Sequence, residues 1–232
     1  MDSAQWVPFI DKIEFKRLCT DLGIDTFKTL GVYSTVNELM DDINTFPSSF
    51  IIKYSSESGL NLIVKDKRTW SEDAIRRKIT RFGPRIESAL LNERQYRHVT
   101  GRYLVEELIV PVPVDYKLFI TDGRVKLIWV DSDRFRSHKR TVYRVHEDYT
   151  ATRWSDCRWG YDHDPNAMSH LPQPMVKQLC DAALRIAHSV PIDMVRIDLY
   201  YLNDRVYGGE VTLTSGGFKE PISSACARFA AT

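Results

Sequence analysis

No apolar run in this chain approaches the roughly 20 residues that a membrane-crossing helix needs, and the Met1-Asp2-Ser3-Ala4 start has neither the basic nor the apolar segment of a secretory leader. A cytoplasmic protein without a membrane span is therefore expected. Cysteine is scarce, with 4 in 232 residues. Cys19, Cys157, Cys180 and Cys226 lie far apart, without the paired spacing of a zinc site or a disulfide framework, and are read as reduced, mostly buried thiols. An excess of one charge is missing too. Lys+Arg 32 against Asp+Glu 31 leaves a net charge of +1, which excludes a bulk pull toward nucleic acid or an anionic membrane, so partners must be argued from sites.

What remains is an ordinary globular composition, 43% hydrophobic and 27% charged, in a chain long enough for one sizeable core or two small lobes. The densest chemistry lies in residues 194–218, M-V-R-I-D-L-Y-Y-L-N-D-R-V-Y-G-G-E-V-T-L-T-S-G-G-F. Two runs rich in β-branched and aromatic residues flank Asn203-Asp204, a hairpin signal. Alternation puts Arg196, Asp198 and Tyr200 on one face and Glu210 and Thr212 on one face of the returning strand. A hairpin could bring Asp198 and Glu210 to one hard cation such as Mg²⁺, which takes one or two carboxylates and leaves its other positions to water and phosphates. On spacing alone, a solvated outer face of the hairpin fits equally well.

Elsewhere, periodicity predicts helices over 10–22 (ended by Gly23), 36–43 (capped by Ser34 or Thr35), 69–91 (capped by Ser71) and 174–190. The 69–91 helix carries Arg76, Arg77, Lys78, Arg81 and Arg85, an ordinary solvated basic face unless an anionic acceptor docks there. Phe50-Ile51-Ile52-Lys53, the small-residue loop through Ser58 and Gly59, and Asn61-Leu62-Ile63-Val64 read as a strand, loop and returning strand. Such a loop can close backbone N–H groups over phosphates. Tyr103 to Ile109 reads as a strand leading to an irregular Pro111, Pro113 stretch. Asp115 to Val130 forms a hairpin around Asp122-Gly123, with Asp115 and Lys117 on one face. Residues 142–169 look least regular and are expected to shape an acceptor pocket; Asp162-His163-Asp164 within them reads as turn chemistry rather than a metal site.

Asp198-Leu199-Tyr200, Gly208 to Thr214 (G-G-E-V-T-L-T) and Gly216-Gly217-Phe218 resemble the C-terminal signature of the ATP-grasp superfamily, in its TupA-like branch, named for teichuronopeptide biosynthesis. Other segments are similar in the same order over nearly the whole chain. They are Asp11-Lys12 with Gly23-Ile24, Lys53 with its loop, V-E-E-L-I over 105–109, and D-Y-K over 115–117. The resemblance implies that Asp198 and Glu210 hold one or two Mg²⁺ on ATP, with Thr212 at a position where many ATP-grasp enzymes carry Asn. Lys12, Lys53, Ser58 and Gly59 would bind the phosphates, and Glu106, Glu107, Leu108 and Ile109 the adenine, largely through main-chain atoms. Lys117, positioned by Asp115, would face the γ-phosphate with Arg196, while Arg134, His138 and Arg140 would serve the acceptor and phosphate side; for His138 and Arg140, salt-bridged strand ends fit equally well.

The fold so implied is α+β, an ATP-grasp fold whose two lobes sandwich ATP between antiparallel sheets, lacking most of the usual N-terminal domain. A small lobe over about 36–102 would carry the flap, and a large lobe over 1–35 and 103–232 the metal site. The reaction implied is ATP-dependent joining of a carboxylate to an amine through an acyl phosphate, releasing ADP, in cell-surface polymer or peptide natural-product biosynthesis. Substrates could be free or linked to a carrier or polymer, and a homodimer could cover an open edge. A phosphotransferase on a small molecule or sugar and a non-catalytic nucleotide-binding module are the competing readings.

Overall fold

The computed structural model describes residues 4–56, 59–82, 98–132, 138–213, 223 and 226. The chain divides into two units, one of residues 1–18 and 26–112 and another of 19–25 and 113–232.

The first unit holds a four-stranded antiparallel sheet of β1 (Thr29–Tyr33), β2 (Phe50–Tyr54), β3 (Asn61–Val64) and β4 (Tyr103–Glu107), in the order β1-β4-β2-β3. Its helices are α1 (Val7–Ile10), α2 (Lys12–Asp21, whose last residues belong to the second unit), α3 (Val36–Asp41) and α4 (Glu72–Ile79). Alternation splits the sheet. Phe50, Ile52, Tyr54, Tyr103 and Val105 face a core completed by Leu39, Met40, Ile43, Ile75 and Ile79. Ile51, Lys53, Leu104 and Glu106 face the other way, Ile51 opposite Glu106 and Lys53 opposite Leu104. Thr35 opens α3 with a capping box: its hydroxyl accepts from Glu38 N–H (3.2 Å), and the Glu38 carboxylate accepts from Thr35 N–H.

Three expectations change here. The helix expected over 10–22 is broken at Asp11, whose backbone is extended and whose buried carboxylate accepts from Ile13 N–H (2.7 Å) and Glu14 N–H (3.1 Å), so it starts a new helix. The small-lobe limits of 36–102 would leave out β1 and β4, but both pair in the β2 sheet, a long-range connection that no local pattern records. The 69–91 helix is seen as α4, with Ser71 Oγ accepting from Ala74 N–H; residues 69–71 before it and 80–82 after it are not α-helical, and 83–91, Arg85 included, lie outside the described residues.

The second unit holds a seven-stranded antiparallel sheet of β5 (Asp115–Thr121), β6 (Arg124–Ser132), β7 (Lys139–Val145), β8 (Ala151–Arg153), β9 (His170–Leu171), β10 (Met194–Leu202) and β11 (Arg205–Thr212), ordered β11-β10-β5-β6-β7-β8-β9. The amphipathic helix α5 (Gln173–Ser189) packs on β5, β6, β10 and β11 through Met175, Val176, Leu179, Ala182, Ala183 and Ile186. Both central residues of the β5–β6 turn (Asp122, φ 52°; Gly123, φ 68°) and of the β10–β11 turn (Asn203, φ 51°; Asp204, φ 57°) are left-handed, as a two-residue hairpin turn matching strand twist requires.

Much of 142–169 is more regular than expected. β7 and β8 were hidden because β7 buries Arg140 and Thr141 beside Val142 and Tyr143, so its hydrophobic alternation is blurred. The reading of four reduced thiols is also corrected. Cys157 and Cys226 form a disulfide across 69 residues of sequence, with Cα atoms 5.1 Å apart in a core of Leu127, Trp129, Val142 and Trp154, while Cys19 and Cys180 are free and buried. Spacing cannot reveal a pair that only the fold brings together.

Candidate active site

The charged groups of the second unit gather on the sheet face that does not bear α5. The ladder aligns Asp198 opposite Lys117 on β5 and opposite Glu210 on β11, with Arg196 opposite Thr212. A β-bulge makes the second alignment work. Asp198 pairs with Glu210 but Leu199 with Gly208, leaving Gly209 as the extra residue. A Cβ on Gly209 would stand 2.7 Å from the Asp198 carbonyl oxygen, a contact only glycine avoids.

Side chains then close on Asp198, which is 2% exposed. Lys117 Nζ donates to Asp198 Oδ2 (2.8 Å) and also to Asp115 Oδ2. Arg196 Nε donates to Asp198 Oδ1 (2.7 Å), and its Nη2 to Asp198 Oδ2 (2.9 Å) and Thr212 Oγ1 (2.9 Å), lying 3.7 Å from Glu210 Oε1. Burial pushes the Asp198 carboxyl up, but Arg196 and Lys117 outweigh it and hold the group well below its usual range. Burial pulls the Lys117 ammonium down, yet Asp198 and Asp115 raise it overall, so it stays charged. The face thus presents a fixed charged lattice in a partly dehydrated setting, where each charge acts more strongly than in water.

A second ion pair continues this lattice. Asp131 lies opposite Asp115 and Arg140 in the ladder, and Arg140 clamps it through Nε (2.7 Å) and Nη2 (3.2 Å). Arg140 also donates to the Trp159 carbonyl (3.1 Å) and stacks over Trp129, 4.1 Å from its centroid. With both edges of its guanidinium engaged, Arg140 reads as a support of Asp131. His138 Nε2 lies 3.4 Å from Asp131 Oδ2, its ring stacked 3.8 Å from Tyr161. Arg134 lies outside the described residues. In the Asp162-His163-Asp164 segment, Asp164 Oδ1 accepts from Asn166 N–H (2.9 Å), which is turn chemistry, while the Ser132 hydroxyl donates to Asp164 Oδ2 (2.7 Å) and a His163 ring nitrogen lies 2.9 Å from the Ser155 carbonyl oxygen.

In the first unit, Glu106, 4% exposed, faces away from the core and binds two cations, Lys53 through Oε2 (2.6 Å) and Lys16 through Oε1. Burial pushes its carboxyl up, but Lys53 and Lys16 outweigh this and lower it. Sequence reasoning missed Lys16; its signal was the four-residue spacing from Lys12 on one helix, meaningful only once Glu106 is known to lie beside it. The N–H of Lys12, first residue of α2, donates to the Ser55 carbonyl (3.4 Å). Gly59 is left-handed (φ +73°) and Ser58 lies outside the described residues. Glu106 turns its carboxylate to lysines, and Glu107 N–H donates to the Lys28 carbonyl (3.0 Å), so that donor is already used; Leu108 and Ile109 are half-buried.

Among the described residues no cluster of three or more His, Cys, Asp or Glu could hold a metal. Two carboxylates facing each other across adjacent strands, Asp198 and Glu210, are nevertheless the donor set Mg²⁺ takes when water and phosphate fill its other positions. Thr212 is already the acceptor of an Arg196 N–H, which makes it a support for that guanidinium.

The family model TupA-like ATPgrasp matches residues 4–225. Among solved structures, D-alanine-D-alanine ligase from Helicobacter pylori is 14% identical, with a TM-score of 0.54 over 91% of this chain and 56% of that one. L-amino acid ligase from Bacillus licheniformis is 13% identical, with a TM-score of 0.54 over 90% of this chain and 44% of its own. The ATP-grasp ligase PsnB, complexed with a minimal precursor, is 13% identical with a TM-score of 0.50, covering 90% and 52%. At such identities the likeness is one of fold, and the chain spans about half the length of these structures. No curated protein matches it. With the family model covering nearly the whole sequence and the ATP-grasp fold present in the structure, this chain belongs to the TupA-like ATP-grasp family.

Proposed function

We propose that the protein is an ADP-forming ligase that uses ATP to activate a carboxylate as an acyl phosphate and passes the acyl group to an amine. The observation that carries this reading is the Lys117–Asp198–Arg196 lattice with Glu210 directly across from Asp198. Transfer of a phosphoryl group spreads negative charge over its oxygens, and fixed cations aimed at that charge do most of the catalytic work. Lys117 and Arg196 supply them, pre-oriented by Asp115, Asp198 and Thr212 so that little reorganisation is needed during reaction. Asp198 and Glu210 would hold Mg²⁺, which when bound neutralises the phosphate oxygens. In the first unit, Lys53 and Lys12 are assigned to the nucleotide phosphates, with Glu106 setting the position of Lys53, and the 107–109 segment to adenine. The solved relatives named as ligases of D-alanine and of L-amino acids support an amino-acid substrate.

The test is ADP release from the purified protein with ATP and Mg²⁺, screened over carboxylic acids and amines together, with the product weighed by mass spectrometry. A product whose mass equals acid plus amine less water supports the ligase. A product equal to one substrate plus a phosphoryl group would establish a phosphotransferase instead, and ATP binding without turnover on any pair would favour a binding module.

A further inference from the structure

Glu106 is a buried carboxylate between two lysines on unequal footing. Lys16 is fixed from two sides: its ammonium donates to Glu106 Oε1 and to the Phe27 carbonyl oxygen, and its side chain keeps 15% of its surface. Lys53 is held more loosely. Its Nζ lies 2.6 Å from Glu106 Oε2, an oxygen that accepts no aligned hydrogen bond among the described residues, and 22% of its side chain is open. The two contacts use different oxygens, so Lys53 can leave without disturbing the bond to Lys16. Both lysines, Phe27 and Glu106 belong to the first unit. A phosphate bound by Lys53 competes with Glu106 for one ammonium. Were Lys53 the sole partner, its turn toward phosphate would strand an ionised carboxylate that is 5% exposed, and a buried charge left uncompensated is strongly unfavourable. That charge would also lie within reach of the same lysine as the anion and repel it.

Resting on the assignment of Lys53 to the nucleotide phosphates, we propose that Lys16 is a positioning residue that keeps Glu106 paired while Lys53 turns to phosphate. It acts through Glu106 and touches no substrate. The Asp11 carboxylate that caps the start of α2 sets the helical turns on which Lys16 stands. Burial pushes the Glu106 carboxyl up while Lys53 and Lys16 each lower it, so Lys16 still opposes the effect of burial once Lys53 has moved.

The test is the Kd of ATP with Mg²⁺, measured by calorimetry for wild type, Lys16→Met, Glu106→Gln and the double variant. Lys16→Met should weaken binding about 10-fold or more, because Lys53 must then stay with Glu106 or leave it uncompensated. Adding Glu106→Gln removes the charge that holds Lys53, so the double variant should bind within about 3-fold of Glu106→Gln alone. A Lys16 that only braces the Phe27 carbonyl gives no such rescue. A double variant as weak as Lys16→Met, or a Lys16→Met protein that binds like wild type, therefore overturns the proposal. Lys53→Met examines the reading beneath it. Unchanged ATP affinity in that variant removes Lys53 from the phosphates and the role of Lys16 with it, whereas weakened binding there without rescue in the double variant removes the role of Lys16 alone. Lys16→Gln, which can still donate to the Phe27 carbonyl, replaces the methionine variant if thermal melting shows that the latter does not fold.

Discussion

Asp198 receives hydrogen bonds from two cations at once, and its neighbours Asp115 and Glu210 keep the local charge near balance. Removing one member of such a lattice leaves the others buried without compensation, so each substitution has a distinct expected outcome. Lys117→Met should lower kcat for ADP release by about 100- to 1000-fold, the scale of losing one pre-oriented donor, with a smaller change in KM for ATP. An equal rise in KM alone would show that Lys117 only binds. Glu106→Gln leaves Lys16 and Lys53 facing a neutral amide and should cost about 1–3 kcal/mol in urea unfolding. Acid should be felt through the same groups. Asp198, Asp131 and Glu106 all have carboxyls lowered by cationic neighbours. Stabilisation from a depressed carboxyl is fully present above its unfolded pKa, about 4, and is lost as pH falls through the lower folded value. The melting temperature should therefore drop below about pH 4, and a melting temperature flat down to pH 2 would contradict these shifts.

At the scale of elements, the β10–β11 hairpin shows how a backbone irregularity builds a site. Gly209 lets β11 carry one extra residue, so that Glu210 still faces Asp198 although the ladder shifts beside it. Gly209→Ala should disturb that pairing, lowering Mg²⁺-dependent activity about 10-fold or more, whereas Gly123→Asn, at a left-handed turn position with open space around it, should change little. Equal effects of the two would mean the bulge is not what places Glu210. Hairpin elements were the legible ones: Asp122-Gly123 and Asn203-Asp204 carry their turn chemistry locally, and period-two alternation by itself assigns Arg196 and Asp198 to one face. Asp11 was not legible as a break, because a carboxylate that caps a helix looks in sequence like any polar residue of its surface. Lys16 was obscure for a related reason: its partner, Glu106, comes from a strand 90 residues further along the chain.

Long-range pairing also decided what could be read of the whole molecule. Motifs in a fixed order identified the family, but β4 pairs with β1 and β2 across tens of residues, and Cys157 meets Cys226 across 69, and neither link leaves a local trace. The disulfide has a simple check. Denatured, unreduced protein should titrate two thiols, Cys19 and Cys180, and four thiols would contradict the pairing. The central claim, that the carboxylates on β10 and β11 hold a magnesium nucleotide, is tested most directly by calorimetric titration of ATP with and without Mg²⁺, comparing wild type with Glu210→Gln. Glu210 is the better position to change, being partly exposed and outside the hydrogen bonds that hold Asp198. Wild type should bind ATP more tightly with Mg²⁺ than with chelator, and Glu210→Gln should lose most of that difference; the same Mg²⁺ dependence in both proteins would contradict the account.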